Sequence, residues 1–92
     1  MRNDRFEWDD DKAASNRVDH RVTFEMASEV FDDPRALENR DDDPDEERFM
    51  TIGAVEARLI TVVWTERGTR IRIITAWSST SRERRQYNEQ PG

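Results

Sequence analysis

Apolar residues along the chain recur with two periods, and each period predicts an element. Phe6-Glu7-Trp8 alternates with period two and runs straight into Asp9, a helix N-cap, so a short strand should turn into a helix from about Asp10 to His20. Acidic Asp9, Asp10 and Asp11 suit the positive end of that helix dipole. Thr23 caps a second helix, in which Phe24, Ala27, Val30 and Phe31 form one apolar stripe, and Asp32-Asp33-Pro34 ends it. Arg35 to Arg40 reads as a short edge strand, and Asp41 to Glu47 as an exposed loop. Three strands follow, Arg48 to Gly53, Arg58 to Glu66 and Arg70 to Trp77. Their connections, Gly53-Ala54-Val55-Glu56-Ala57 and Arg67-Gly68-Thr69, predict hairpins and hence an antiparallel meander. Leu59 to Trp64 is largely apolar on both alternating sets, which predicts a central strand.

The last strand carries an amphipathic message of its own. Strict alternation sends Arg70 and Arg72 to one face and Ile71, Ile73 and Thr75 to the other, so a cationic row should lie on a packed sheet. Ser79 or Thr80 then caps a helix that Arg82, Glu83, Arg84 and Arg85 make polar nearly all round, with Tyr87 to anchor it and Asn88 to Gly92 left to fray.

Ninety-two residues suit a single domain spanning 1–92 with one modest core. A charged share of 39% against a hydrophobic share of 34% leans towards disorder, but the periodic aromatic residues oppose that reading. The absence of cysteine excludes disulfides, thiolate metal sites and a cysteine nucleophile. No apolar run reaches membrane-span length, so a soluble, cytoplasmic protein is expected. The net charge of −6 is unevenly divided: residues 1–66 carry 9 basic and 19 acidic side chains, and residues 67–92 carry 6 and 2. A basic end suits RNA and an acidic body suits a basic protein, although solvated surfaces would show the same division. Asp41, Asp43 and Asp45 have the odd-position spacing of a calcium loop, but Glu46 stands where glycine is needed and Ile52 where the bidentate glutamate is needed. No metal or cofactor is expected.

Taken together, "FEWDDDKAASN" at Phe6 to Asn16, "HRVTFEMASEVFDD" at His20 to Asp33, "ERFMTIG" at Glu47 to Gly53, "RIRIITA" and "TSRERRQY" through Tyr87 resemble the BrnT family of toxins. The resemblance implies a RelE-like α+β fold: an antiparallel sheet of four to five strands, two N-terminal helices packed on it and a C-terminal helix. It implies a ribonuclease of a type II toxin–antitoxin system that arrests translation. The implied partner is a BrnA-like ribbon-helix-helix antitoxin, in a heterotetramer of two toxins and two antitoxins that reaches operator DNA only through the antitoxin. The chain departs from the family pattern at Asp19 and Arg21, which flank His20, and at Trp77, where the family's last strand ends in arginine.

Metal-free RNA cleavage needs a base for the 2′-hydroxyl, an acid for the leaving 5′-oxygen and fixed cations for the charge that builds on phosphorus. Arg72 is the first candidate for the phosphate, since its planar fork grips two oxygens. Its alternative is an ion pair to Glu47 or Glu66. Arg70, on the same face nearer the turn, is a weaker candidate for RNA contact, and Arg48, on a neighbouring strand, is another that carries the same ambiguity as Arg72. Arg82 and Glu83, at the start of the last helix, offer a cation and an acid or base; a solvated helix face is the competing reading. His20 is the only histidine, the side-chain type suited to proton transfer near neutral pH; it matches the family motif and is kept as an acid or base, although a lone histidine is more often structural. Glu7 is the other candidate carboxylate, and Lys12, the single lysine, a phosphate contact or a surface charge. Trp77 either stacks an RNA base or fills space at an attenuated site. An attenuated toxin would serve mainly as an antitoxin-binding corepressor.

Overall fold

The computed structural model describes residues 1–91, the side chain of Asp42 excepted, so Gly92 of the expected frayed end lies outside the described residues. The elements are strand β1 (Phe6–Glu7), helix α1 (Asp10–His20), helix α2 (Phe24–Glu29) prolonged by a 3₁₀ turn (Val30–Asp32), strands β2 (Leu37–Asp42), β3 (Glu47–Val55), β4 (Arg58–Arg67) and β5 (Arg70–Ser78), and helix α3 (Ser81–Asn88). Local chemistry sets the helix starts. Asp9 accepts hydrogen bonds from the N–H groups of Asp11 and Lys12 at 2.8 and 3.1 Å, and the Thr23 hydroxyl accepts from Met26 N at 3.0 Å. Arg21 closes α1 in the left-handed region at φ 56°.

The five strands form one sheet in the order β1-β5-β4-β3-β2. β2 to β5 are antiparallel neighbours, but β1 lies parallel to β5, with Phe6 opposite Ile71 and Glu7 opposite Arg72. The sheet is therefore mixed, which corrects the purely antiparallel expectation. A hairpin turn can join only antiparallel neighbours, whereas β1 and β5 are separated by the whole body of the chain and face no such restriction.

The core lies between α1, α2 and one face of the sheet. Phe6, Trp8, Val22, Phe24, Ala27 and Val30 pack against Val55, Ile60, Val62, Trp64, Ile73 and Ala76. A six-residue helix such as α2 does not hold itself in water; burying Phe24, with side chains of its kind worth about 1.5–3 kcal/mol each, supplies what it lacks. Gly53 makes this contact close, because a Cβ there would sit 2.7 Å from Val30 Cγ1 and 3.0 Å from Val30 O.

Three features depart from the sequence reading in ways that bear on the site. Gly53, Ala54 and Val55 belong to β3, so the first hairpin turns on Glu56 and Ala57 alone, with Glu56 at φ 56°. Asp41 and Asp42 pair with Arg48 and Glu47, which extends both strands into the acidic run and leaves 43–46 as its loop. The third difference lies in β5. Val63 pairs with Thr75 but the next residue, Trp64, pairs with Ile73, so Ile74 is an extra residue. This bulge shifts the alternation by one. Ile71, Ile73 and Ala76 face the helices, while Arg70, Arg72, Thr75 and Trp77 share the opposite face; Thr75 is thus not on the side of Ile71 and Ile73.

Helix α3 covers one end of that opposite face. Thr61 and Trp77 are direct cross-strand partners there, and Ile52, paired with Thr61, is fully buried beside them. Tyr87 donates from its hydroxyl to Asp33 Oδ2 at 2.7 Å, and the same oxygen accepts from Ala54 N at 2.8 Å. That shared carboxylate ties a polar helix to β3. Among the described residues no helix is long and apolar enough to cross a membrane.

Candidate functional site

The register assembles the site in rows across the face opposite α1 and α2. One row runs Glu7, Arg72, Thr65 across β1, β5 and β4. The row nearer the hairpin turn pairs Arg67 with Arg70, and beyond the bulge Thr75, Val63 and Met50 lead to the row under α3. The bulge is what brings Trp77 onto the face of Arg72, since strict alternation would have put the two on opposite sides.

Glu7 and Arg72 meet at the open end of this face. Arg72 Nη1 donates to Glu7 Oε2 at 2.7 Å, and the two side chains remain 30% and 16% exposed. The sequence reading offered Glu47 or Glu66 as partner. Glu47 instead pairs with Arg40 at 3.2 Å, and Glu66, opposite Ile71, lies on the other face. The hydrogen bond from Arg72 holds the Glu7 carboxyl below the usual carboxylate range; partial burial opposes this, and the charges of Arg72, Arg67 and Arg2 reinforce it. The remaining donors of Arg72 make no hydrogen bond among the described residues.

The other arginines of the face are differently engaged. Arg70 Nε donates to Asn3 O at 2.7 Å, which leaves the rest of its fork open. Arg48 is turned onto its own loop: it binds Glu46 at 2.8 Å and Asp43 at 3.3 Å, and the Glu46 hydrogen bond raises its already high pKa. Two carboxylates of the calcium-like loop thus neutralise an arginine.

Glu83 sits under the first turn of α3. Its Oε1 accepts from Thr80 N at 2.9 Å, Trp77 Nε1 at 3.0 Å and the Thr61 hydroxyl at 3.0 Å. The first of these, with Glu83 N donating to Thr80 Oγ1, completes a capping box. Burial favours the neutral acid, but these donors outweigh it and hold the carboxyl below its ordinary value. Glu83 Oε1 therefore anchors Trp77 and the α3 N-terminus. Arg82 beside it is exposed.

Lys12 and His20 lie elsewhere, at the edge of β5 beyond the reach of β1. With Asn16, Asp19, Ile74 and Thr75 they line a groove of about 290 Å³. The His20 ring is 6.5 Å from that of Trp77, and Trp77 is about 13 Å along the strand from Arg72, since their partners on β4, Thr61 and Thr65, are four residues apart. The structure joins Glu7 to Arg72 and His20 to Trp77, and keeps the two pairs apart. Sequence reasoning missed Asn16, which is buried in this edge. Its amide donates to Ala76 O at 2.8 Å and Val22 O at 3.0 Å, and its Oδ1 accepts from the Thr75 hydroxyl at 2.8 Å and Ala76 N at 3.2 Å. A polar residue amid the small residues of α1 was the only available signal.

These features define a small α+β protein with an arginine–carboxylate pair on the open face of its sheet. The chain belongs to the family described as ribonuclease toxin, BrnT, of type II toxin-antitoxin system, which matches residues 8–83. It is thus a ribonuclease toxin, and the system it belongs to implies an antitoxin partner. No curated protein matches the chain. Arg72, His20, Trp77 and Glu83 lie within the matched residues, and Glu7 lies one residue before them.

Proposed function

We propose that this toxin is a metal-independent endoribonuclease whose reaction centre is the Glu7–Arg72 pair. The observation that carries this reading is their 2.7 Å contact on the open sheet face, where a carboxylate kept ionised lies beside an arginine with donors to spare. The 2′-oxygen of RNA attacks the adjacent phosphorus, its proton passes to Glu7, and the open donors of Arg72 hold the non-bridging oxygens as charge builds on them. The bond to the 5′-oxygen breaks, and that oxygen takes a proton from water on the exposed face. The need for a 2′-hydroxyl restricts the reaction to RNA. A carboxylate with a lowered pKa is a weak base but a permanently available one at neutral pH.

The two N-terminal helices on one face and the reacting strand on the other make the arrangement RelE-like in this reading. Cleavage of RNA arrests translation. The antitoxin is BrnA-like: it masks the open face, forms a heterotetramer of two toxins and two antitoxins, and brings the complex to operator DNA through its ribbon-helix-helix domain.

The test is cleavage of end-labelled single-stranded RNA in EDTA. Arg72→Ala is expected to lower kcat by about 10²–10³, the cost of one preorganised donor group at a developing oxyanion. Full activity in that variant removes the site.

Trp77 favours a second reading, that the toxin is attenuated and acts mainly as a corepressor with its antitoxin. Its indole N–H is committed to Glu83 at 3.0 Å, so the ring packs beneath α3 at the position where the resembling family carries arginine. Under this reading Trp77→Arg raises cleavage several-fold; an unchanged or lower rate supports the Glu7–Arg72 centre as complete.

A further inference from the structure

We infer that the hairpin end of β4 and β5 is a second phosphate subsite, built by Arg67, Arg70 and Arg2, which takes the RNA phosphate adjacent to the one on Arg72. The inference rests on the reading that RNA reacts at Arg72.

Three placements carry it. Arg67 and Arg70 are direct cross-strand partners, an arrangement in which like charges repel and cost stability. Arg70 and Arg72 share a face two residues apart, about 7 Å along the strand, which is the step between successive phosphates of an extended RNA strand. Arg2 forms a bridge with Glu7, which places it on the same face as Arg72. The N-terminal segment that carries it is fixed by hydrogen bonds from Trp8 N to Met1 O at 3.0 Å and from Asn3 N to Phe6 O at 2.8 Å.

The charges of this corner are not balanced from within. Arg5, Arg40, Arg48 and Arg72 each form an ion pair, but Arg2, Arg67 and Arg70 form none among the described residues. Glu7 is the carboxylate on which the charges of Arg72, Arg67 and Arg2 all act, and Arg72 already holds it; Glu46, Glu47 and Glu66 line a groove with Arg67 without forming an ion pair to it. In a chain of net charge −6, a cluster of arginines without ion pairs of their own at a strand end is a place for an external anion. Its planar forks suit phosphate oxygens, and counterion release on binding adds to the attraction. An RNA strand laid along β5 would then meet Arg70 and Arg67 one nucleotide before or after the phosphate at Arg72, with Arg2 closing the side.

The experiment measures binding of a 2′-O-methyl oligonucleotide, which is not cleaved, by fluorescence anisotropy from 0.05 to 0.2 M salt. Loss of one single-strand phosphate contact reduces the slope of log K against log salt by about 0.7, which weakens binding about eightfold at 0.05 M and about threefold at 0.2 M when affinity at 1 M salt is unchanged. Arg67→Gln should show both effects, whereas Arg67→Lys should keep the wild-type slope. An oligonucleotide with a neutral methylphosphonate at the adjacent phosphate should bind wild-type protein as weakly as Arg67→Gln binds the normal strand, and the variant should lose nothing further from it. Arg67 is exposed beside a turn, and an unchanged thermal midpoint checks that the variant is folded.

A wild-type slope in Arg67→Gln, or additive losses with the methylphosphonate, overturns the subsite while RNA cleavage sensitive to Arg72 leaves the proposed centre standing. Weaker capture of the cognate antitoxin by Arg67→Gln with unchanged RNA binding also overturns it, by assigning the corner to a protein partner. If wild-type protein neither binds nor cleaves RNA, the centre falls and takes the subsite with it.

Discussion

Replacing Asn16 by alanine tests how α1 is held to the sheet. Asn16 binds both backbone groups of Ala76, together with Val22 O and the Thr75 hydroxyl, so its amide acts as a one-residue strand on the β5 edge that β1 leaves uncovered. The residue is 5% exposed, and alanine at this position would leave all four partners without their amide. At about 1 kcal/mol net for each hydrogen bond, reduced where water reaches the strand edge, the loss is about 2–4 kcal/mol. For a domain of this size each kcal/mol lowers the thermal midpoint by about 4–8 °C, so a fall of roughly 8–32 °C is expected. Urea unfolding followed by tryptophan fluorescence and circular dichroism gives the free energy directly; the slope should stay constant while the midpoint falls. A cost below about 0.5 kcal/mol, the usual limit for a surface substitution, would refute the idea that this network fastens α1 to β5.

Glu83→Gln should flatten the acid limb of the stability curve. The folded-state pKa of Glu83 is below 4.5, so its contribution is complete above that value and is lost as pH falls through the lower folded value. The wild-type midpoint should therefore drop more steeply than the variant's on acidification below about pH 4.5, and parallel curves would contradict this. Gly53→Ala should destabilise by about 1–3 kcal/mol, because the new methyl group meets Val30 backbone that cannot move aside as a flexible side chain can; thermal unfolding reads the loss, and an unchanged midpoint would show that the 3₁₀ turn yields freely.

Much of the scaffold was legible in the residues because it rests on short-range chemistry. Asp9, Thr23 and Thr80 cap their helices through their own side chains, and Phe24, Ala27 and Val30 lie at spacings that only one face of a helix can satisfy. Glycine marked one hairpin correctly at Gly68, which sits at φ 60°, and misled at Gly53, which serves packing rather than turning. The site was legible as a list of residue types and not as a set of pairs. Arg72 and Glu7 are 65 residues apart in the chain, and no local pattern states that β1 will close the sheet beside β5. Three donors converge on Glu83 Oε1, two of them from strands, and that convergence could not be read from the chain.

The sequence by itself determined the elements, their caps, the single amphipathic core and the placement of arginine on the last strand, because each depends on periodicity or on contacts a few residues apart. The tertiary structure decided which residues share a face and which charges meet. One extra residue at Ile74 moved Thr75 and Trp77 to the side of Arg72, and parallel docking of β1 put Glu7 against that arginine. Alternation is a local rule that a bulge shifts by one, and strand pairing across the chain is governed by burial of the whole core, which no short stretch contains.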